Sequence, residues 1–256
     1  MISVCMATYN GERFLREQID SILCQLGPDD ELIVSDDGST DGTLEIIESY
    51  NDSRIRFLTH DRTFRVSKFS SGYYCSNNFA NAISHAQGDL IFLSDQDDVW
   101  CNDKVEIMKK QLESADLCIS NFSVIDENGK VSCARYFIDN PITNHWFVNL
   151  NKNVYFGCCM AFRRSATESF MPIPPSIASY DSWIGAVLHL KRKKICFIDI
   201  PLINYRRHNS NISFATGKSN NPLSFKLMWR LQFMITLLMH FLHPKSIHSF
   251  PESAHE

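Results

Sequence analysis

Leu90-Ile91-Phe92-Leu93-Ser94-Asp95-Gln96-Asp97-Asp98 decides the fold of this 256-residue chain. Four consecutive apolar residues bounded by polar ones read as a strand buried on both faces. Three carboxylates follow that strand directly. In an open parallel α/β sheet, ligands gather outside the carboxyl ends of strands. The segment therefore sets oxygen donors where such a sheet binds its ligand. Two other joints have the same form. The apolar run Ile2 to Ala7 leads into Thr8-Tyr9-Asn10-Gly11, and Glu31 to Ser35 leads into Asp36-Asp37-Gly38-Ser39-Thr40-Asp41-Gly42.

Between these strands the apolar residues recur at helical spacing, as Phe14, Leu15, Ile19, Ile22, Leu23 and Leu26 do between Glu12 and Leu26. Further helices are predicted at about Leu44 to Ser49, Asn78 to Ala86 and Lys104 to Leu112, and further strands at Ile55 to Thr59, Asp89 to Ser94 and Leu117 to Val124. This βαβ series implies an α/β fold with a mostly parallel sheet. Asp126-Glu127-Asn128-Gly129 reads as a hairpin turn, and Val154 to Phe162 as a strand. Asp181 opens a helix, and two short strands, Ile195 to Ile198 and Leu202 to Arg206, precede Arg207 and His208. A polar stretch, Thr216 to Asn221, links to an apolar segment, Leu223 to Leu242. Ser67 to Asn78 fits no pattern.

The composition suits one large domain: 44% of residues are hydrophobic and 12% aromatic, which excludes disorder over most of the length. Nine cysteines form an odd set without a CxxC pair, which argues against a zinc cage or a disulfide framework and for a reducing compartment. No secretory signal is expected, so a cytoplasmic location is. The net charge is −4, yet residues 186–245 hold ten Lys or Arg against one acid, Asp199, so the remainder carries −13. An acidic part suited to a metal thus precedes a basic part suited to phosphates or anionic lipid. No nucleic-acid motif accompanies the basic residues.

A sugar nucleotide reacts when its diphosphate departs, and a hard cation held by carboxylates neutralises that departure. Asp95, Asp97 and Asp98 offer the oxygens for Mn²⁺ or Mg²⁺. An Asp-rich surface turn has the same spelling, since Asp favours turns and helix caps. Asp181 before Ser182-Trp183 has an equally plain reading as a helix cap, and His208 as a loop histidine. Cys158 and Cys159 read as small apolar wall residues.

Together the segments resemble glycosyltransferase family 2, with its GT-A fold, from about Ile2 to His208. The densest stretches are Ile2 to Gln25, Glu31 to Thr43, Asn78 to Trp100, and Phe156-Gly157-Cys158-Cys159-Met160-Ala161-Phe162 continuing to Tyr180-Asp181-Ser182-Trp183. Leu93 to Trp100 is similar to the bacterial rhamnosyltransferase-type members that extend surface polysaccharides. The resemblance implies a Rossmann-like, mostly parallel sheet flanked by helices, with a C-terminal helical appendage. It implies a catalytic domain over residues 1–212, whose nucleotide-binding part is about 1–125 and whose acceptor part is about 126–212. A linker and an amphipathic helical segment then fill 213–256.

Carried over position by position, Thr8, Asn10, Asp37, Asp95, Arg206 and His208 would bind the donor. Asp97, Asp95 and His208 would hold the metal, and Asp181 would be the catalytic base. Tyr180 stands where many relatives have Glu. The implied activity is inverting, metal-dependent transfer from a UDP-hexose or dTDP-rhamnose type donor to a hydroxyl of a growing surface glycan, carried on polyprenyl diphosphate. Leu223 to Leu242 has the length of a membrane span, but Lys226 and Arg230 interrupt it. An interfacial helix on the inner face of the cytoplasmic membrane fits better, with packing on the catalytic domain as the alternative. Two other functions compete. A sugar-phosphate nucleotidyltransferase needs a Gly-rich basic loop after the first strand, where Ala7 to Glu12 offers one glycine. A non-catalytic sugar-nucleotide-binding subunit would not need every acid retained.

Overall fold

The computed structural model describes residues 1–60, 71–152, 154–208 and 223–242. The polar stretch Thr216 to Asn221 and the first part, 67–70, of the unpatterned stretch lie outside them. The chain runs β1 (Ile2–Thr8), α1 (Leu15–Leu23), β2 (Glu31–Asp36), α2 (Thr43–Ser49), β3 (Ile55–Thr59), α3 (Ser71–Ser84), β4 (Leu90–Ser94), β5 (Val99–Trp100) and α4 (Lys104–Leu112). It continues through β6 (Leu117–Ile125), β7 (Val131–Cys133), α5 (Trp146–Asn151), β8 (Met160–Arg163), α6 (Thr167–Phe170), α7 (Tyr180–Leu190), β9 (Ile195–Arg206) and α8 (Leu223–Leu242).

One sheet takes in all these strands, in the order β3-β2-β1-β4-β8-β6-β9-β5, with β7 paired to β6. The first four are parallel, and β8 runs against both β4 and β6. Strands β6 and β9 therefore point the same way as the first four, and the sheet is mostly parallel by strand direction. The carboxyl ends of β1, β2, β4 and β9 consequently open on one edge. Val4, Cys5, Met6, Leu32, Ile33, Val34, Ile91, Phe92 and Leu93 have no exposed surface, which is why these strands are apolar runs rather than alternating ones. Leu15, Ile19 and Ile22 of α1 are equally buried, and each such side chain contributes about 1.5–3 kcal/mol. The buried Gln18 between them donates to Ser94 Oγ at 2.6 Å and ties α1 to the last residue of β4.

Four predicted elements differ. Helix α3 begins at Ser71 instead of Asn78, so part of the unpatterned stretch is helical. The strand predicted from Val154 is only Met160–Arg163, because Gly157–Cys159 form one 3-10 turn. The two strands predicted at 195–206 are a single strand. Ser120 pairs with Ile198 and Asn121 with Pro201, so Asp199 and Ile200 bulge before a proline that has no N–H to donate. Helix α1 is shorter at both ends than predicted.

Helix α8 spans the predicted residues and packs on the domain while leaving a broad apolar face exposed. Phe233 and Leu237 are buried, and the Phe233 ring meets Trp183 of α7 edge-on, with centroids 6.1 Å apart. Three of its polar residues face the domain, whereas Arg230 is exposed. Gln232 Nε2 donates to Ser176 O at 3.3 Å, Thr236 Oγ1 lies 3.5 Å from Ser176 Oγ, and His240 Nε2 lies 2.9 Å from Ser169 O. Leu227, Met228, Leu231, Ile235, Leu238 and Leu242 point outward, each more than half exposed. At 100° per residue these outward positions span an arc of about 100°. Among the described residues no helix is long and apolar enough to cross a membrane.

Candidate active site

Three loops meet at the carboxyl edge of the sheet. Asp36 organises the first two. Its Oδ2 accepts from Gly38 N at 2.8 Å and Ser39 N at 2.7 Å, and its Oδ1 accepts from Thr8 Oγ1 at 2.9 Å. Gly38, at φ 78, makes the turn. Thr8 is buried and spends its hydroxyl on Asp36 and on Ser35 O. Asn10 accepts from Thr40 N at 2.9 Å, and its own N–H donates to Ser39 Oγ at 2.8 Å. Both predicted donor-binding residues thus clasp the β1 and β2 loops together. Asp37 is buried beside them, and Nδ1 of His60, at the end of β3, lies 2.6 Å from its Oδ1.

The third loop carries the acids. Asp97 Oδ2 lies 2.7 Å from Nε2 of His208, just beyond the end of β9, and both side chains keep some exposure. Asp98 is fully buried; its Oδ1 accepts from Arg206 N at 2.9 Å, and its Oδ2 has no hydrogen-bond partner. The Asp95 carboxyl is pushed up to about 7, first by burial and then by the charges of Asp97 and Asp181. Burial, followed by Asp97 and Asp95, raises Asp98 as well. Carboxylates that repel one another in a desolvated cluster favour a divalent cation among them. Ligand atoms of Asp95, Asp98 and Cys158 lie within 4.8 Å of one another. The partly exposed pair Asp97 and His208 is better placed for a metal that must also touch a ligand, because Asp98 and Cys158 are closed off from solvent.

Arg206 is positioned differently from a residue that faces an open site. Its side chain is 3% exposed, and its guanidinium pairs with Glu17 of α1, donates from Nε to Asp97 O at 3.0 Å, and lies over the Phe14 ring. Its visible role is to hold the acid loop against α1. The His208 ring packs on the same Phe14, with centroids 4.9 Å apart.

Asp181 is the second residue of α7. Ser179 occupies the cap position, so the helix-cap reading of Asp181 does not describe it. Its Oδ1 accepts from Ser179 Oγ at 2.5 Å and Ser182 N at 2.6 Å. Burial outweighs these hydrogen bonds and raises its pKa. Tyr180 before it is buried and stacks on Phe79, with centroids 4.1 Å apart. A Cβ at Gly157 would stand 1.9 Å from the Tyr180 hydroxyl, so the 3-10 turn at Gly157 and the tyrosine occupy one space.

Sequence reasoning missed His60 and Gln96, whose side chain bonds the backbone of Tyr9. Cys158, read as a wall residue, is buried, and its thiol lies within 4.8 Å of the ligand atoms of Asp95 and Asp98.

Residues 3–170 match the model of the family described as "Glycosyl transferase family 2". The chain belongs to glycosyltransferase family 2. Among curated family relatives, it is 27% identical over 234 residues to the UDP-Glc:alpha-D-GlcNAc-diphosphoundecaprenol beta-1,3-glucosyltransferase WfgD of Escherichia coli, covering 90% of this chain and 84% of the relative. Among solved structures, TarS of S. aureus in complex with UDP-GlcNAc superposes with a TM-score of 0.64 at 20% identity, over 92% of this chain and 66% of that chain. Glucosyl-3-phosphoglycerate synthase of Mycobacterium tuberculosis, in complex with Mn²⁺, UDP and phosphoglyceric acid, gives 0.55 at 20% identity, over 99% and 80%. These structural likenesses establish the shared GT-A fold. The chain is a glycosyltransferase enzyme.

Proposed function

We propose that this glycosyltransferase moves a sugar from a nucleoside-diphosphate donor, of UDP-hexose or dTDP-rhamnose type, to a hydroxyl of a bacterial surface glycan carried on polyprenyl diphosphate. Residues 1–212 form the catalytic domain in this reading, and 213–256 the linker and helical segment. The carrying observation is the meeting of Asp95, Asp97 and His208 with Asp181, whose charge helps to raise Asp95.

The donor's base lies by Asp37, held by His60, and its diphosphate lies toward Asp95, Asp97 and His208. A Mn²⁺ or Mg²⁺ ion, when bound, would supply positive charge at the diphosphate. Asp95, Asp97 and His208 would hold it, which the mutual repulsion of the buried acids supports. Asp181 takes the proton from the acceptor hydroxyl as that oxygen attacks the anomeric carbon from the face opposite the nucleotide. Its raised pKa makes it a stronger proton acceptor than an ordinary carboxylate. Backside attack inverts the anomeric configuration.

Helix α8 supports a place at the inner face of the cytoplasmic membrane. An apolar face this large, with the exposed Arg230 at its flank, fits a partner that is itself apolar and bordered by polar groups. The exposed Lys191, Arg192 and Lys194 end α7 beside it, with Lys191 Nζ 5.4 Å from the Phe241 ring centroid. That combination matches an anionic lipid surface. The alternatives in the sequence, packing on the domain and lying in the interface, are then two faces of one helix.

The test is a panel of UDP- and dTDP-sugars assayed for nucleoside-diphosphate release with Mn²⁺, Mg²⁺ or EDTA, in the presence of short polyprenyl-diphosphate saccharides. Release that needs both metal and acceptor supports the reading. Binding without release from any donor would favour a non-catalytic subunit.

A further inference from the structure

Gln96, between the two acids of the metal loop, hydrogen-bonds both polar groups of one backbone residue in the first loop. Its Oε1 accepts from Tyr9 N at 2.8 Å, and its Nε2 donates to Tyr9 O at 3.1 Å. Strands β1 and β4 pair only as far as Met6 and Ser94. The side-chain amide therefore extends the connection past both strand ends. The fit is close: a Cβ on Gly11 would stand 2.5 Å from Gln96 Oε1 and 2.8 Å from its Cδ.

The loop held in this way is bonded onward. Asn10 sits at φ 50, in the left-handed region that asparagine tolerates. From there its N–H reaches Ser39 Oγ at 2.8 Å, its Oδ1 accepts from Thr40 N at 2.9 Å, and Gly11 N donates to Thr43 Oγ1 at 2.8 Å. A continuous hydrogen-bonded path runs from the acid loop through Gln96, Tyr9 and Asn10 to the loop that carries Asp37.

We infer that Gln96 is a positioning residue that makes metal binding and nucleotide binding cooperative. The inference rests on the donor reading above, in which the diphosphate end meets the acid loop and the base end meets Asp37. A cation that orders the acid loop then orders Tyr9 and Asn10 as well, so the nucleotide meets a loop already fixed. The linkage is reciprocal: the nucleotide strengthens metal binding by the same factor.

Calorimetry on the full chain tests this with UDP and dTDP as probes, each at saturating Mn²⁺ and in EDTA. The quantity read is the ratio of the two dissociation constants. In Gln96→Ala, and in the size-matched Gln96→Met, the ratio falls about tenfold, the scale of two lost hydrogen bonds within the usual range of coupling. Gly11→Ala lowers the ratio by itself, because its methyl displaces Gln96, and adds little on top of Gln96→Ala. A ratio unchanged in both Gln96 variants, or effects of Gly11→Ala and Gln96→Ala that simply add, would overturn the inference alone. A wild-type chain that binds both probes without any metal dependence would overturn the metal-assisted donor reading together with it.

Discussion

Asp97 and His208 lie 111 residues apart in sequence, yet their side chains approach to 2.7 Å. The contact joins the loop after β4 to the end of β9, across the antiparallel β8 and the intervening β6. At the end of β9 Arg206 donates its backbone N–H to the buried Asp98, and His208 two residues further on meets Asp97. The acid motif and the late histidine are thus a single construction, with Asp98 as its hinge pin and Asp97 as its accessible ligand.

Asp97→Ala should therefore abolish the effect of Mn²⁺ on donor turnover while the protein stays folded, since Asp97 keeps solvent contact. The expected fall in kcat/KM is about 10²–10³, the scale for removing an electrostatic stabiliser of the departing charge. Asp98→Ala should instead lower the melting temperature, because it strands the Arg206 N–H in the interior. Equal thermal losses in the two variants would refute this division of roles.

Asp181→Asn should keep donor affinity and lose about 10²-fold or more in kcat, the usual range for a general base. The pH profile carries more information. Burial raises the Asp181 pKa, and the base acts only when deprotonated. The acid limb of kcat/KM should accordingly fall at a pH above the ordinary Asp value of about 3.9, and the limb should vanish in the Asn variant. An Asn variant with near-normal turnover would leave Asp181 as a helix-start residue alone.

Glu31 offers a stability test away from the site. Burial alone would raise its pKa, but hydrogen bonds from Ser3 Oγ and Gln87 N, with the Arg56 guanidinium, outweigh burial and hold it below the usual range. A carboxylate with a lowered folded pKa contributes stability above its unfolded pKa and loses it as pH falls through the folded value. Glu31→Gln should cost about 1–3 kcal/mol at pH 7, and the deficit should shrink below about pH 4, near the unfolded Glu pKa. Denaturant melts of both proteins across this window provide the check; a deficit constant with pH would exclude the linkage.

The parallel half of the fold was legible because its strands are buried on both faces and spell themselves as apolar runs. Strand β5 was not, since two residues carry no period. The 3-10 turn at Gly157 was hidden inside an apolar run, because what breaks the strand there is the Tyr180 ring from another helix. In the site, the acids at strand ends were legible from spacing. The roles of Thr8 and Asn10 as clasps, of His60 against Asp37 and of Arg206 against Glu17 were not. Each depends on a partner 23 to 189 residues away that only the folded sheet brings close. For α8 the length was legible and the orientation was not, because Gln232, Thr236 and His240 turn inward to partners on distant segments.

That orientation decides how membrane attachment should be tested. Deleting the chain after Asn221 would remove Phe233 and His240 from beside Trp183, and so destabilise α7 and Asp181 together with any lipid contact. Substituting the outer face avoids this. Leu231, Ile235 and Leu238 are 62%, 53% and 58% exposed and share one side of the helix, so changing all three to Gln should leave the melting temperature within a few degrees. The same variant should lose sedimentation with vesicles that contain anionic lipid, while soluble donor hydrolysis stays unchanged. Lys191→Glu with Lys194→Glu should weaken the association further and flatten its salt dependence, since each cation near an anionic surface contributes about 1 kcal/mol. Vesicle binding by the triple Gln variant equal to that of the wild type would show that the apolar face of α8 serves another partner.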